Sequence, residues 1–152
     1  MFEHHRRITV EWGDCDPAGI VFFPNYLKWF DDCASALFAA AGLPLQTLFA
    51  SHGVVGIPVV DVRVTYKASA VFGDELLAKT SVIEWRRSSF VIQHRIYKQD
   101  VLTVEGLVTR VWVGADIGKE GRLKSRPLPR EVVEHLTSYR NSASSDNDPG
   151  NR

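Results

Sequence analysis

Three observations predict an α+β fold, with one long helix packed on an antiparallel sheet of about five strands. The stretch from about Pro24 to Ala41 is apolar around most of a helical circumference and carries start and stop signals at its ends. Five runs, near residues 8–12, 60–67, 75–85, 90–97 and 101–113, have strand patterning, three of them with clear alternation. The connections between the later runs are short, which makes neighbouring strands antiparallel.

The first strand rests on Ile8, Val10 and Trp12 alternating with Thr9 and Glu11. The helix follows a loop. Pro24 suits its first turn, and Gly42 with Pro44 suits its end. Lys28, Asp31, Asp32 and Ser35 fall at i, i+3, i+4 and i+7 and define one polar stripe. Tyr26, Leu27, Trp29, Phe30, Cys33, Ala34, Leu37, Phe38 and Ala41 cover most of the rest, the pattern of a largely buried helix. A connector runs through Ser51-His52-Gly53. Val60, Val62, Val64 and Tyr66 then alternate with polar residues, as do Phe90, Ile92, His94 and Ile96. Turns at Phe72-Gly73-Asp74 and Gln99-Asp100 precede the strands 75–85 and 101–113. Pro129 to Tyr139 reads as a terminal helix. Residues 1–140 form one expected domain, and 141–152, rich in Ser, Asn, Asp and Gly, an expected disordered tail.

Composition narrows the function. Lys plus Arg and Asp plus Glu are equal at 18 each, which argues against a nucleic-acid binder. No apolar run reaches the roughly 18 residues of a membrane span. Two cysteines are too few for a disulfide framework, so the expectation is a cytoplasmic protein with reduced thiols. Apolar residues on the opposite sheet face predict burial by another subunit.

The segment Gly13 to Tyr26 is where chemistry is expected. It places Asp14 and Asp16 in a Gly/Pro-bracketed loop that runs into the start of the long helix. A helix N-terminus offers unpaired N–H groups and a partial positive charge, so it stabilises an oxyanion. A carboxylate beside it can attack, or direct water at, an activated acyl group. Asp16 is the working residue in this reading; taken alone, an Asp before Pro is more often a turn residue. Asp14 reads as structural, Cys15 as a small thiol without a His to activate it, and Cys33 as core. As a calcium loop the segment fails: positions 5 and 12 are Ala18 and Asn25. His52 and His94 read as structural. The expectation is no metal and no cofactor.

The helix-in-sheet plan and the run Gly-Asp-Cys-Asp-Pro-Ala-Gly-Ile-Val, residues 13–21, resemble the hotdog-fold acyl-CoA thioesterases, most nearly the bacterial 4-hydroxybenzoyl-CoA branch. The likeness spans roughly residues 8–130. It includes Pro24-Asn25-Tyr26, Gly42-Leu43-Pro44, Gly53-Val54-Val55-Gly56 with Pro58, and Glu84-Trp85-Arg86-Arg87. It implies a hotdog fold and hydrolysis of an aromatic acyl-CoA such as 4-hydroxybenzoyl-CoA, with CoA as part of the substrate. It implies Asp16 as nucleophile or general base and the Phe23 backbone N–H as the group polarising the thioester carbonyl. Phe22, Tyr26, Asp31 and Val59 would contact the acyl group; Arg86, Arg87, Ser88 and Lys124 would meet CoA. It implies a homodimer with sites at the subunit interface, doubled into a tetramer. There are departures: Phe22-Phe23 replaces a Trp-Tyr pair, Ile57 a Thr, and Ser88 a Lys. A short-chain or acyl-carrier-protein thioesterase, and a non-catalytic acyl-CoA sensor, are the alternative readings.

Overall fold

The computed structural model describes residues 1–138. In chain order the elements are β1 (Glu3–Thr9), a 3-10 turn (Trp12–Asp14), α1 (Pro24–Ala40), α2 (Leu45–His52), β2 (Val59–Tyr66), β3 (Glu75–Trp85), β4 (Ser89–Lys98), β5 (Val101–Val111), β6 (Val113–Ala115), β7 (Leu123–Ser125) and α3 (Arg130–Ser138). The first five strands form one antiparallel sheet in the order β1-β3-β4-β5-β2, and β6 with β7 makes a small hairpin. The architecture is the expected α+β, with the sheet curled about α1. The end of the predicted terminal helix at Tyr139 and the tail 141–152 lie outside the described residues.

Helix α1 buries Tyr26, Trp29, Phe30, Cys33, Ala34, Leu37 and Phe38, the i, i+3, i+4, i+7 stripe of a core-facing helix. Its N-terminal half packs on Ile8, Leu76, Ala78, Ile96, Val104 and Val108. Its C-terminal half packs on Phe90, Ile92 and Trp112, with Leu48 of α2 and Leu136 of α3 completing that cluster. Leu27 departs from the predicted apolar face: it is 41% exposed and lies with the polar stripe. The helix stops where Gly42 takes φ +80°, with Gly42 N–H donating to Ala39 O at 3.0 Å and Leu43 N–H to Phe38 O at 2.9 Å. Those two bonds form a Schellman stop, which a glycine accommodates at little strain.

Inside the curl, β5 presents Val104, Gly106, Val108 and Arg110 to the helix, all buried. Gly106 is required there: a Cβ at that position would lie 2.3 Å from the Phe30 ring, which stacks on His94 at 4.6 Å.

Two elements differ from expectation. Strand β1 begins at Glu3 and ends at Thr9, so Trp12 is not in it. Glu11 N–H donates to Asp14 Oδ2 at 2.8 Å, which turns the chain into the 3-10 segment and leaves Trp12 edge-on to Phe72. The connector after α1 is itself helical, as α2. No single described helix is long and apolar enough to cross a membrane; the bent pair α1 and α2 has the length and composition, but α1 packs its apolar face on the sheet.

Candidate active site

The loop before α1 is held by its own backbone. Asp16 N–H donates to Ile20 O at 2.9 Å, Gly19 N–H to Asp16 O at 2.9 Å, and Ala18 N–H to Asp16 Oδ1 at 2.8 Å. The side chain therefore folds over its own turn through one oxygen, and Oδ2 has no partner among the described residues. Asp14 is structural, as expected. Besides its bond to Glu11, its carbonyl accepts Phe22 N–H and Asn25 Nδ2, each at 2.8 Å, pinning the loop to the first turn of α1.

That pinning decides which donors are free at the helix start. Phe22 N–H is taken by Asp14 O, Pro24 has no N–H, Asn25 N–H donates to Phe22 O and Tyr26 N–H to Phe23 O. Phe23 N–H is left without an acceptor among the described residues. The free donor and the half-free carboxylate thus flank one loop, at the positive end of a 17-residue helix.

Beside them is a cavity of about 350 Å³, lined by Ile20, Val21, Phe23, Tyr26, Tyr66 and Lys67 with the chain through Ala70. Tyr66, from β2, donates its hydroxyl to Phe23 O at 3.3 Å and meets the Phe23 and Tyr26 rings edge-on. Burial pushes the Tyr26 hydroxyl up to about 12, with Tyr66 adding to it, so Tyr26 is a neutral wall at ordinary pH. Phe22 and Phe23 are half exposed and touch each other at 5.6 Å.

A second cavity, about 230 Å³, lies farther along the same seam between α1 and β2. Leu27, Asp31, Val59, Val62 and Arg110 line it. The register of β2 shifts between Val59 and Asp61, and this bulge lets Val59 face the same side as Val62. Arg110 is buried and donates Nη2 to Asp31 Oδ1 at 2.7 Å and Nη1 to Ile57 O at 3.2 Å.

The predicted CoA residues lie elsewhere. Arg86 lines a polar cavity of about 420 Å³ with Asp61, Arg63, Glu84 and Thr109, and pairs with Glu84 at 2.8 Å. That hydrogen bond holds the Glu84 carboxyl below the usual carboxylate range. Strand β3 ends at Trp85, so Arg86, Arg87 and Ser88 fall in the β3–β4 turn, where both arginines are exposed. Lys124 is exposed on β7. Within one chain, then, Phe23 and Tyr26 share one cavity, Asp31 and Val59 a second, and Arg86 a third. Among the described residues no cluster of three or more His, Cys, Asp or Glu forms a metal site.

Known proteins resemble this chain along most of its length. A family model described as the thioesterase-like superfamily matches residues 10–136. The chain belongs to that superfamily. It is 44% identical over 133 residues to a 4-hydroxybenzoyl-CoA thioesterase from Pseudomonas sp. strain CBS-3, covering 82% of this chain and 91% of the relative. A 1,4-dihydroxy-2-naphthoyl-CoA hydrolase from Synechococcus elongatus is 27% identical over 136 residues, covering 90% and 96%. A crystal structure of a mutant 4-hydroxybenzoyl-CoA thioesterase complexed with 4-hydroxybenzoyl-CoA superposes with TM-score 0.80 at 31% identity, covering 88% of this chain and 98% of that one. The fold is the hotdog fold of these thioesterases, and the protein is a thioester hydrolase.

Three residues that line these cavities escape the sequence reading as site candidates: Tyr66, Lys67 and Arg110. Tyr66 ends an alternating run in which it looks like any inward aromatic. Arg110 did leave a signal, a charged residue at the same parity as inward Val104, Gly106 and Val108. His52 and His94 are structural, as expected. His52 bridges α2 to Glu131 of α3 at 2.6 Å, and the neighbouring Ser51 hydroxyl is occupied by Leu48 O at 3.0 Å.

Proposed function

We propose that the protein hydrolyses an aromatic acyl-CoA of the 4-hydroxybenzoyl-CoA kind to the free acid and CoA. The observation that carries this reading is the Phe23 N–H, the one unclaimed donor at the start of α1, beside the Asp16 loop and an aromatic-walled cavity. The two relatives described above are named for hydroxyaryl-CoA esters, and the complexed structural relative holds one.

In this reading the thioester carbonyl oxygen takes the hydrogen bond from Phe23 N–H, with the α1 dipole behind it. Such preorganised donors act where charge develops, and losing one typically costs about 10²–10³ in rate. Asp16 Oδ2 then works in one of two ways. As a base it takes a proton from water while the water oxygen bonds to the carbonyl carbon. As a nucleophile it bonds to that carbon itself, giving an anhydride that water opens. Either way the C–S bond breaks and the CoA sulfur leaves with a proton. A thioester is already activated, so the scheme calls on no cofactor.

Arg86, Arg87, Ser88 and Lys124 would meet the phosphates of CoA, arginine supplying paired donors. Arg86 and the acyl cavities lie on different sides of the sheet, so we propose that one protomer completes the other's site in a dimer, with two dimers forming a tetramer. Strand β2 supports this: it is a sheet edge with Val59, Val60, Val62 and Tyr66 all exposed.

Free-thiol release from benzoyl-, 4-hydroxybenzoyl-, short-chain and long-chain acyl-CoAs, and from acyl-carrier protein, tests the reading. Fastest release from the aromatic esters is expected. Preference for acyl-carrier protein, or binding of CoA esters without thiol release, would replace it with a carrier-protein enzyme or a sensor.

A further inference from the structure

The free N–H of Phe23 is aimed by hydrogen bonds on both sides of that residue. A trans peptide is planar, and its N–H and C=O point opposite ways. Phe22 O accepts Asn25 N–H at 2.9 Å within the first turn of α1, so the Phe23 N–H of the same peptide faces away from that turn. The next peptide plane is held at Phe23 O. It accepts Tyr26 N–H at 3.3 Å and, from the sheet, the Tyr66 hydroxyl at 3.3 Å. Pro24, which closes that plane, has no N–H to contribute.

Phe23 has no polar side chain and is 59% exposed, and its ring is held by contacts with Phe22 at 5.6 Å and Tyr66 at 6.3 Å. Tyr66 therefore meets Phe23 twice, through ring and hydroxyl, and also rests edge-on against Tyr26 at 5.6 Å. Tyr66 is the last residue of β2. Directly after it, Lys67 N–H and Ala68 N–H both donate to Thr103 O of β5, at 2.7 and 3.1 Å. That shared acceptor pins the strand end, and with it the base of the Tyr66 side chain. Burial pushes the Tyr66 phenol above its ordinary 10, so it stays a protonated donor through the neutral range.

We infer that Tyr66 is a positioning residue for the oxyanion donor: its hydroxyl ties the Phe23 carbonyl to the end of β2 and so holds the adjacent N–H on the thioester carbonyl. This deepens the aromatic acyl-CoA reading and rests on its use of the Phe23 N–H. Oxyanion stabilisation depends on donors already in place when charge develops, and a donor free to swing loses part of that advantage. In this role Tyr66 acts through the Phe23 backbone. A tyrosine that only walls the cavity would work through its ring alone, so the hydroxyl separates the two roles.

The test is steady-state thiol release from 4-hydroxybenzoyl-CoA by wild type and Tyr66→Phe, which keeps the ring and removes the hydroxyl. The expected result is a fall of about 3–10-fold in kcat with KM within about twofold and an unchanged melting temperature, the size of one neutral hydrogen bond realised in the transition state. Tyr66→Leu, which removes the ring as well, is expected to lose more. A second readout follows the donor itself: the infrared carbonyl stretch of 4-hydroxybenzoyl-CoA bound to Asp16→Asn, in which turnover is slow. A carbonyl hydrogen-bonded to Phe23 N–H absorbs at lower frequency than in the free ester, and Asp16→Asn with Tyr66→Phe is expected to lose part of that shift. A Tyr66→Phe protein with wild-type kcat overturns the inference. So does an equal carbonyl shift with and without the hydroxyl, which would leave Tyr66 a cavity wall. In both cases the aromatic thioesterase reading stands. A wild type that releases no thiol from the ester overturns that reading and this inference together.

Discussion

His94 has its ring fully buried, stacked on Phe30, with Nδ1 3.2 Å from Thr80 Oγ1 and Nε2 without a partner. Burial, with the positive charge of Arg110 behind it, pushes the ring down to about 3 from an ordinary 6.5. The unfolded chain therefore binds a proton between about pH 6.5 and 3 that the folded chain refuses. Stability is lost as pH falls through that window, by up to about 1.4 kcal/mol per pH unit from this residue. Urea unfolding between pH 7 and 4 is expected to show that slope, and His94→Gln to flatten it. An equal slope in the variant would assign the acid sensitivity elsewhere. The same charge logic explains Tyr26, which is held as a neutral phenol and so contributes shape, not proton transfer, to its cavity.

At the scale of elements, β2 is a sheet edge whose apolar side chains are exposed. An edge strand with apolar side chains and unpaired backbone groups is a template for pairing with another chain. The native protein is expected to sediment at a multiple of 17.0 kDa, and Val60→Lys, placing a charge on that edge, to shift it toward one chain. Unchanged mass in the variant would move the interface away from β2. Much of this level was legible in the sequence. Helix α1 and strand β4 announce themselves through period, because one face of each is buried and the other is not, β2 alternates in sequence although none of its residues is fully buried, and β3 and β5 are marked by the turns before them. Helix α2 was hidden because it is eight residues long and buries only Leu48, too little to print a period. Strand β1 was misplaced because Trp12, which looks like the next inward residue, is turned out by the Glu11–Asp14 bond. The turn and the helix start around Asp16 were legible, since Gly, Pro and Asp mark both. The distribution of site residues over three cavities was not, because it depends on sheet face and on the bulge in β2. Arg110 was hidden since a charge on an alternating strand reads by default as a solvated one.

The whole molecule is a rigid frame that presents a helix start. The curled sheet fixes α1, the Asp14 carbonyl fixes the loop against the first turn, and the result is one free N–H and one half-free carboxylate oxygen. Changing Asp16 to asparagine leaves this frame standing, since the amide oxygen still accepts Ala18 N–H. The most direct measurement is therefore free-thiol release from 4-hydroxybenzoyl-CoA by wild type and Asp16→Asn side by side, with thermal unfolding of both as the control. The account predicts hydrolysis by the wild type and a fall of about 10²–10⁴ in kcat for the variant at unchanged melting temperature. A folded Asp16→Asn protein that turns over the ester at the wild-type rate would contradict it.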